Sequence, residues 1–187
     1  MTEEIVRLRP LALTDVDSMM TWVNDPEIVG NFAAFAGKPF TRADEVAYVT
    51  KLLASTSEKV FAIEERASGR YLGNVGIHQI HDASKVGRLA CIVGSRADMG
   101  KGHGSAAIRL VLDWAFFERG LHKVWLMAFR TNVRALRTYA RIGFVEEGVL
   151  REEYFHKAGW HDMVRMGLLD REWRALRGRE PFKGEGA

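Results

Sequence analysis

Gly100-Lys101-Gly102-His103-Gly104-Ser105 joins an apolar run, Leu89 to Gly94, to an amphipathic one, Ala106 to Glu118. Three glycines at alternate positions carry no Cβ atoms to hold a ligand away, so successive backbone N–H groups can approach a phosphate at a helix start. The spacing is not that of a nucleotide P-loop, because Gly102 and not Ser or Thr follows Lys101. Nor is it a dinucleotide fingerprint, which needs two residues between its second and third glycines. ATP and NAD are therefore poor candidates, and the stretch is either an anion cradle of another kind or a flexible turn.

One strand-like run downstream lies Asn132-Val133-Arg134-Ala135-Leu136-Arg137-Thr138-Tyr139-Ala140-Arg141-Ile142-Gly143-Phe144. The two segments together resemble the acetyl-coenzyme A signature of the GCN5-related N-acetyltransferase (GNAT) superfamily: a phosphate loop at a helix start, then Asn-x-x-Ala-x-x-x-Tyr-x-x-x-Gly-Phe. Gly148-Val149-Leu150-Arg151-Glu152, with Gly159 and Asp162 behind, is similar to the ending of the branch that holds ribosomal-protein alanine N-acetyltransferases and spermidine acetyltransferases. Leu8-Arg9-Pro10-Leu11 resembles that branch's opening strand. The resemblance implies one α/β domain, a mixed and mostly antiparallel sheet with splayed central strands flanked by helices. It also implies acetyl-CoA as donor and direct transfer of the acetyl group to an amine.

The bulk properties agree with that reading. A chain of 187 residues suits one domain, here expected over 1–177, with a Gly- and charge-rich disordered tail over 178–187. A single cysteine, Cys91, excludes an internal disulfide framework. No signal-peptide layout and no run of membrane-spanning length are present, so a cytoplasmic location is expected, with no membrane partner. Net charge is +3 and the basic residues are interspersed with acidic ones, which offers little to nucleic acid. No metal is expected. A homodimer is expected from family habit.

Periodicity predicts a strand over residues 5–9, a helix from Thr14 carrying Val16, Met19, Met20 and Val23, and a second helix from Thr41 with Asp44 completing a capping box. That second helix is expected to bury Val46, Val49, Leu52 and Leu53. Strands follow at Lys59–Glu65 and Tyr71–Ile80, around a turn at Ala67-Ser68-Gly69-Arg70, and then at Arg88–Gly94. Ser105–Arg119 reads as a helix stopped by Gly120, Lys123–Phe129 as a buried strand, and Asn132–Arg141 as a helix stopped by Gly143. Two terminal strands, about 144–155 and 160–169, surround Lys157-Ala158-Gly159.

Acetyl transfer from a thioester needs a held donor, a polarised carbonyl, a neutral amine and a proton for the departing thiolate. By resemblance, backbone N–H groups of Ile92, Val93 and Gly94 hold the thioester carbonyl and pantetheine arm. Met99, Gly100, Lys101, Gly102, His103, Gly104 and Ser105 hold the pyrophosphate, with Gly104 expected to need unusual backbone angles. Met99 departs from the family's Gln or Arg. Asn132 caps its helix and contacts the cofactor. Tyr139 is the general acid, or else a core aromatic above Ala135 and Leu136.

The base is less determined. The position where relatives carry a strand Glu is Leu89 here, which leaves His78, His81, Glu152 or Asp162, directly or through water; His78 is the primary candidate. An acyl-cysteine route through Cys91 lacks a neighbouring base. Trp22, Asn24, Asp25, Glu27, Phe32 and Phe35 fall on the segment that walls the acceptor cleft in the family, and Glu152-Glu153-Tyr154-Phe155 with Trp160 mirrors them. Carboxylates beside aromatics suit a cation, so the expected acceptor is a small-molecule amine such as a polyamine, amino sugar or aminoglycoside. The alternatives are the α-amine of a protein and a non-catalytic acyl-CoA-binding module.

Overall fold

The computed structural model describes residues 5–30, 39–156 and 158–179. Seven strands form one sheet in the order β1-β2-β3-β4-β5-β7-β6. β1 is Val6–Pro10, β2 Lys59–Glu65, β3 Tyr71–His81, β4 Val86–Val93, β5 Lys123–Phe129, β6 Val145–His156 and β7 Gly159–Leu169. Every neighbouring pair is antiparallel except β4 with β5, whose connection carries a helix as parallel strands require; the connection from β5 to β6, which carries α5, passes over β7 to the sheet edge. That parallel pairing covers only Val86↔Lys123, Gly87↔Val124 and Arg88↔Trp125. Beyond Arg88 and Trp125 the two central strands part.

Apolar alternation builds a core on each face of the sheet. On one face Ile63, Val75, Ile77, Leu89, Val124 and Leu126 pack beneath α4, His103–Asp113. α4 widens into a π-turn at Trp114–Glu118, where Arg119 N–H reaches Trp114 C=O at 2.8 Å. α5, Val133–Ile142, adds Tyr139 and Ile142 to this layer. On the other face Val60, Ala62 and Ile92 meet three helical segments: α1 (Val16–Met19), α2 (Pro26–Val29) and α3 (Arg42–Ala54).

Local signals explain most boundaries. Thr41 and Asp44 form the expected reciprocal cap of α3. Gly143, at φ +122°, ends α5 by taking a conformation that L side chains resist. The helix expected from Thr14 shrinks to a 3₁₀ turn, Leu13–Asp15, and the single turn α1, because Asp15 is drawn into a two-bond ion pair with Arg9. Leu53, expected inside, is 55% exposed at the solvent side of α3.

A last helix, α6 at Asp170–Leu176, follows β7 and was not legible in the pattern. Its Trp173 is fully buried and donates Nε1–H to Asp113 at 2.9 Å. Gly178 closes α6 at φ +63°, and the Arg179 guanidinium stacks over the Phe117 ring at 4.1 Å. Residues 180–187, Lys157 and the acceptor candidates Phe32 and Phe35 lie outside the described residues.

Candidate active site

The site grows from the gap between β4 and β5. Gly94 N–H donates to Leu72 C=O at 2.8 Å, and Ile92 opposite Asn74 shares that phase of the ladder. The intervening residues, Cys91 and Val93, must then point their peptide groups the other way, toward β5. Since β5 has already turned aside, these groups edge an open cleft. Of the three residues expected to hold the thioester, only Val93 offers its N–H there; Ile92 and Gly94 spend theirs on β3. Gly94 has a different reason to be glycine, since a Cβ on it would lie 2.2 Å from Cδ1 of the Trp22 indole.

The glycine loop sits at the head of the cleft. Gly100 and Gly102 take φ +84° and +92°, a left-handed conformation that glycine adopts without penalty. Gly102 is the N-cap of α4, no side chain caps it, and the first intrahelical bond is Ala106 N–H to Gly102 C=O. The N–H groups before Ala106 are thus left for an anion, at the positive end of the helix dipole. Gly104, by contrast, is helical; its absent Cβ would lie 3.6 Å from Val93 Cγ2 and 3.9 Å from Cys91 Sγ. It keeps space clear along β4 and does not supply unusual backbone angles.

Asp98, which the sequence did not single out, anchors this loop. It is buried, pairs with both Arg70 guanidinium nitrogens at 2.7 and 2.9 Å, and lies 3.6 Å from Lys101. The Arg70 bonds hold its carboxyl below the usual carboxylate range. Met99 packs with the second core, while His103 is buried with Nδ1 lacking a hydrogen-bond partner among the described residues. A pocket between α4 and α5 is lined by Gly102, Ser105, Arg109, Thr138, Arg141 and Ile142. Arg134 adds a further guanidinium, 3.1 Å from where a Gly100 Cβ would be. Arg134, Thr138 and Arg141, at helical spacing, could have been read as one basic stripe on α5.

Asn132 caps α5, accepting Ala135 N–H at 3.2 Å. Tyr139 lies on the same helix, edge-on to Phe144 at 6.1 Å. Burial raises its phenol above the ordinary range, and the nearby Cys91 thiol adds to the effect. Its hydroxyl has no hydrogen-bond partner among the described residues. Tyr139 is therefore a protonated donor facing the thiol of the parted strand. Cys91 itself is pushed up to about 12 by burial, which opposes an acyl-cysteine route.

Several expected acceptor and base residues are committed elsewhere. Asp25 caps α2 through Glu27 N–H at 2.9 Å, and Glu27 forms an exposed ion pair with Arg96. Asn24 clamps the backbone of Phe40 from both sides. Glu152 is an exposed bulge residue of β6 at φ +50°, held by its own N–H to Asp162. Asp162 also pairs with Arg130; the Glu152 N–H bond is the main cause keeping it ionised. His81 closes the β3–β4 turn by accepting Ser84 N–H. His78 is buried, its Nδ1 3.2 Å from Glu58, and burial lowers its pKa. It pairs across the ladder with Arg88, four positions before Ile92, or roughly 13 Å along the strand. That places it at the closed base of the gap, not at the reacting end.

Beside the cleft, Trp22 is buried against Gly94 where β4 ends, and an aromatic group surrounds Phe129 where β5 ends. Tyr154, His156 and His161 ring Phe129 at centroid distances of 6.1, 5.7 and 5.4 Å. α2 spans the opening between the flanks, through Glu27 to Arg96 at one end and Gly30 C=O to His156 Nε2, at 3.0 Å, at the other.

A sheet parted at its parallel pair, with uncapped helix N–H groups at the head and a buried phenol at the side, defines an acyl-CoA-type transferase. Residues 6–145 match the Acetyltransferase (GNAT) domain family, and the chain belongs to it. It is an acetyltransferase, and enzymes of this family use acetyl-CoA. Spermidine N(1)-acetyltransferase of Vibrio cholerae serotype O1 is 29% identical over 137 residues, 73% of this chain and 78% of that protein. YdaF of Bacillus subtilis (strain 168), whose name assigns it provisionally to ribosomal N-acetylation, is 30% identical over 105 residues, 56% of this chain and 57% of that protein. The crystal structure of the Vibrio cholerae spermidine enzyme in complex with CoA and spermine superposes with a TM-score of 0.83 at 26% identity, covering 90% of this chain and 98% of that one.

Proposed function

We infer that this enzyme acetylates a primary amine of a small polyamine, with acetyl-CoA as donor. The observation that carries the reading is the parting of β4 from β5 after Arg88 and Trp125, beside a phenol that has no hydrogen-bond partner among the described residues. The likeness to a spermidine acetyltransferase structure holding CoA and spermine supports the substrate class.

In this mechanism the loop Gly100–Ser105 holds the pyrophosphate through α4 N–H groups, and Arg109, Arg134 and Arg141 face the remaining phosphate charge. Val93 N–H polarises the thioester carbonyl, so negative charge that develops on oxygen meets a fixed donor. Tyr139 gives its proton to the departing thiolate. A free phenol is a weaker acid than a thiol by about 1.5 pKa units, and burial weakens it further, so the transfer needs the thiolate to be desolvated beside it. The same reading places the enzyme in the cytoplasm as a possible homodimer, whose mass in solution is the check.

The test is a side-by-side screen of spermidine, spermine, an amino sugar and a peptide starting with Ala, following thiol release and product mass. Polyamines are expected to react best, with kcat/KM falling as salt rises. Turnover of the peptide alone overturns the polyamine reading, and cofactor binding without turnover of any acceptor overturns the enzymatic one.

A further inference from the structure

The site described so far protonates a thiolate but has no group to take a proton from the incoming amine. A polyamine's primary amine is almost entirely ammonium at neutral pH, so such a group is required. Two histidines on the acceptor side, neither of which the sequence pattern marked, have geometry suited to it. His161 Nε2 lies 2.9 Å from the carbonyl oxygen of His156, and His156 Nε2 lies 3.0 Å from the carbonyl oxygen of Gly30. A carbonyl oxygen can only accept, so in both rings the proton sits on Nε2 and donates. In the neutral ring Nδ1 then carries a lone pair, and neither Nδ1 has a partner among the described residues.

The rings are held in place. His156 stacks on Phe129 at 20° between planes and His161 meets the same ring at 63°, the two imidazoles being 6.2 Å apart. Phe129 ends β5 on the parted side of the gap, and Gly30 follows α2, which spans the opening. The pair is therefore fixed at the rim through which an acceptor reaches the cleft. The titratable group facing it from β6 is Tyr154; the contacts from β5 and α2 are Phe129 and the Gly30 backbone, which carry no charge. The Arg130–Asp162 pair and Glu152 flank it at the β6–β7 bulge.

We propose that the imidazole pair His156 and His161 is the general base of this enzyme, taking the acceptor's ammonium proton on Nδ1, directly or through one water. It rests on the amine-acetylation reading above. The ammonium gives one proton to Nδ1, which passes it to solvent. The freed nitrogen lone pair forms the C–N bond at the thioester carbon, and the C–S bond then breaks. The thiolate takes the proton of Tyr139, which is replaced by the second proton lost from nitrogen. The balance is ammonium plus thioester to amide, thiol and one released proton.

The experiment compares wild type with His156→Gln, His161→Gln and the double variant, measuring kcat/KM against pH with both spermidine and an Ala-starting peptide, and acetyl-CoA affinity by calorimetry. Gln keeps an N–H donor for the carbonyl partner and removes the base. The double variant is expected to lose about 10²-fold in kcat/KM at pH 7, to have its acid limb displaced to higher pH, and to recover as rising pH frees the amine, with acetyl-CoA affinity within twofold. Added imidazole should restore part of the rate in His161→Ala. A double variant within threefold of wild type and with the same acid limb overturns the proposal, as does a loss matched by an equal loss of acetyl-CoA affinity. Wild-type turnover of the peptide but not of spermidine overturns the polyamine reading while leaving this comparison intact.

Discussion

Replacing Gly94 by alanine should disturb both stability and the acceptor side through one contact. The added Cβ would lie 2.2, 2.4 and 2.7 Å from Cδ1, Nε1 and Cγ of Trp22, against 3.4 Å or more in ordinary contact. Trp22 is 3% exposed, so the indole has no open space to swing into and must shift by on the order of 1 Å together with its surroundings. Forced overpacking of this kind costs about 2 kcal/mol, a fall in melting temperature of roughly 4–8 °C for a domain of this size. Because Trp22 flanks the cleft, kcat/KM for the acceptor should fall about tenfold while acetyl-CoA binding stays within a few-fold. Urea unfolding of Gly94→Ala, Trp22→Ala and the double variant checks the cause. Trp22→Ala alone should cost about 3–5 kcal/mol as a cavity, and the double variant should cost less than the sum of the singles, because the obstructing ring is gone. Strict additivity, or a Gly94→Ala variant within 0.5 kcal/mol of wild type, on the order of measurement scatter, would refute the contact as the cause.

Tyr139→Phe should lower kcat by about 10²–10⁴ with acetyl-CoA affinity and melting temperature nearly unchanged, since the hydroxyl makes no hydrogen bond to the described residues; steady-state kinetics and calorimetry check this. Because its phenol titrates above the ordinary range, wild-type kcat should show no basic limb from Tyr139 below about pH 10. Gly102→Ala places a Cβ at φ +92° with Ile5 Cδ1 3.7 Å away, so its cost of about 1–2 kcal/mol is conformational, and it should weaken acetyl-CoA about tenfold by calorimetry. Asp98→Asn should cost about 1–2 kcal/mol, discounted because Arg70 is half exposed. Since the folded Asp98 pKa is depressed, its contribution is complete above the unfolded carboxylate range near 4 and is lost as pH falls through the folded value; unfolding free energies should therefore converge between wild type and Asp98→Asn toward low pH. Glu27→Gln should change stability by less than about 0.5 kcal/mol, because its pair with Arg96 is solvent-exposed.

Local chemistry wrote most of the cofactor half of this protein into its sequence. The glycine spacing at 100–104, the Asn132 cap, the Gly143 stop and the strand Lys123–Phe129 are each decided within a few residues, by backbone angles, capping and alternation. The residues of the acceptor side were not legible in the same way. Asp25 and Glu27 look available in the chain; folded, one caps a helix and the other pairs with Arg96, 69 residues away. His78 looks like a base at a strand end, yet the register with Arg88 sets it at the closed foot of the gap. His156 and His161 become neighbours only through the β6–β7 hairpin, and they reach the site only because Phe129 and Gly30, 27 and 126 residues before His156 in the chain, come to meet them. Hydrogen-bond partners and depth along a sheet depend on strand register and on which helix crosses which face. Those are properties of long-range packing that no local window of sequence contains.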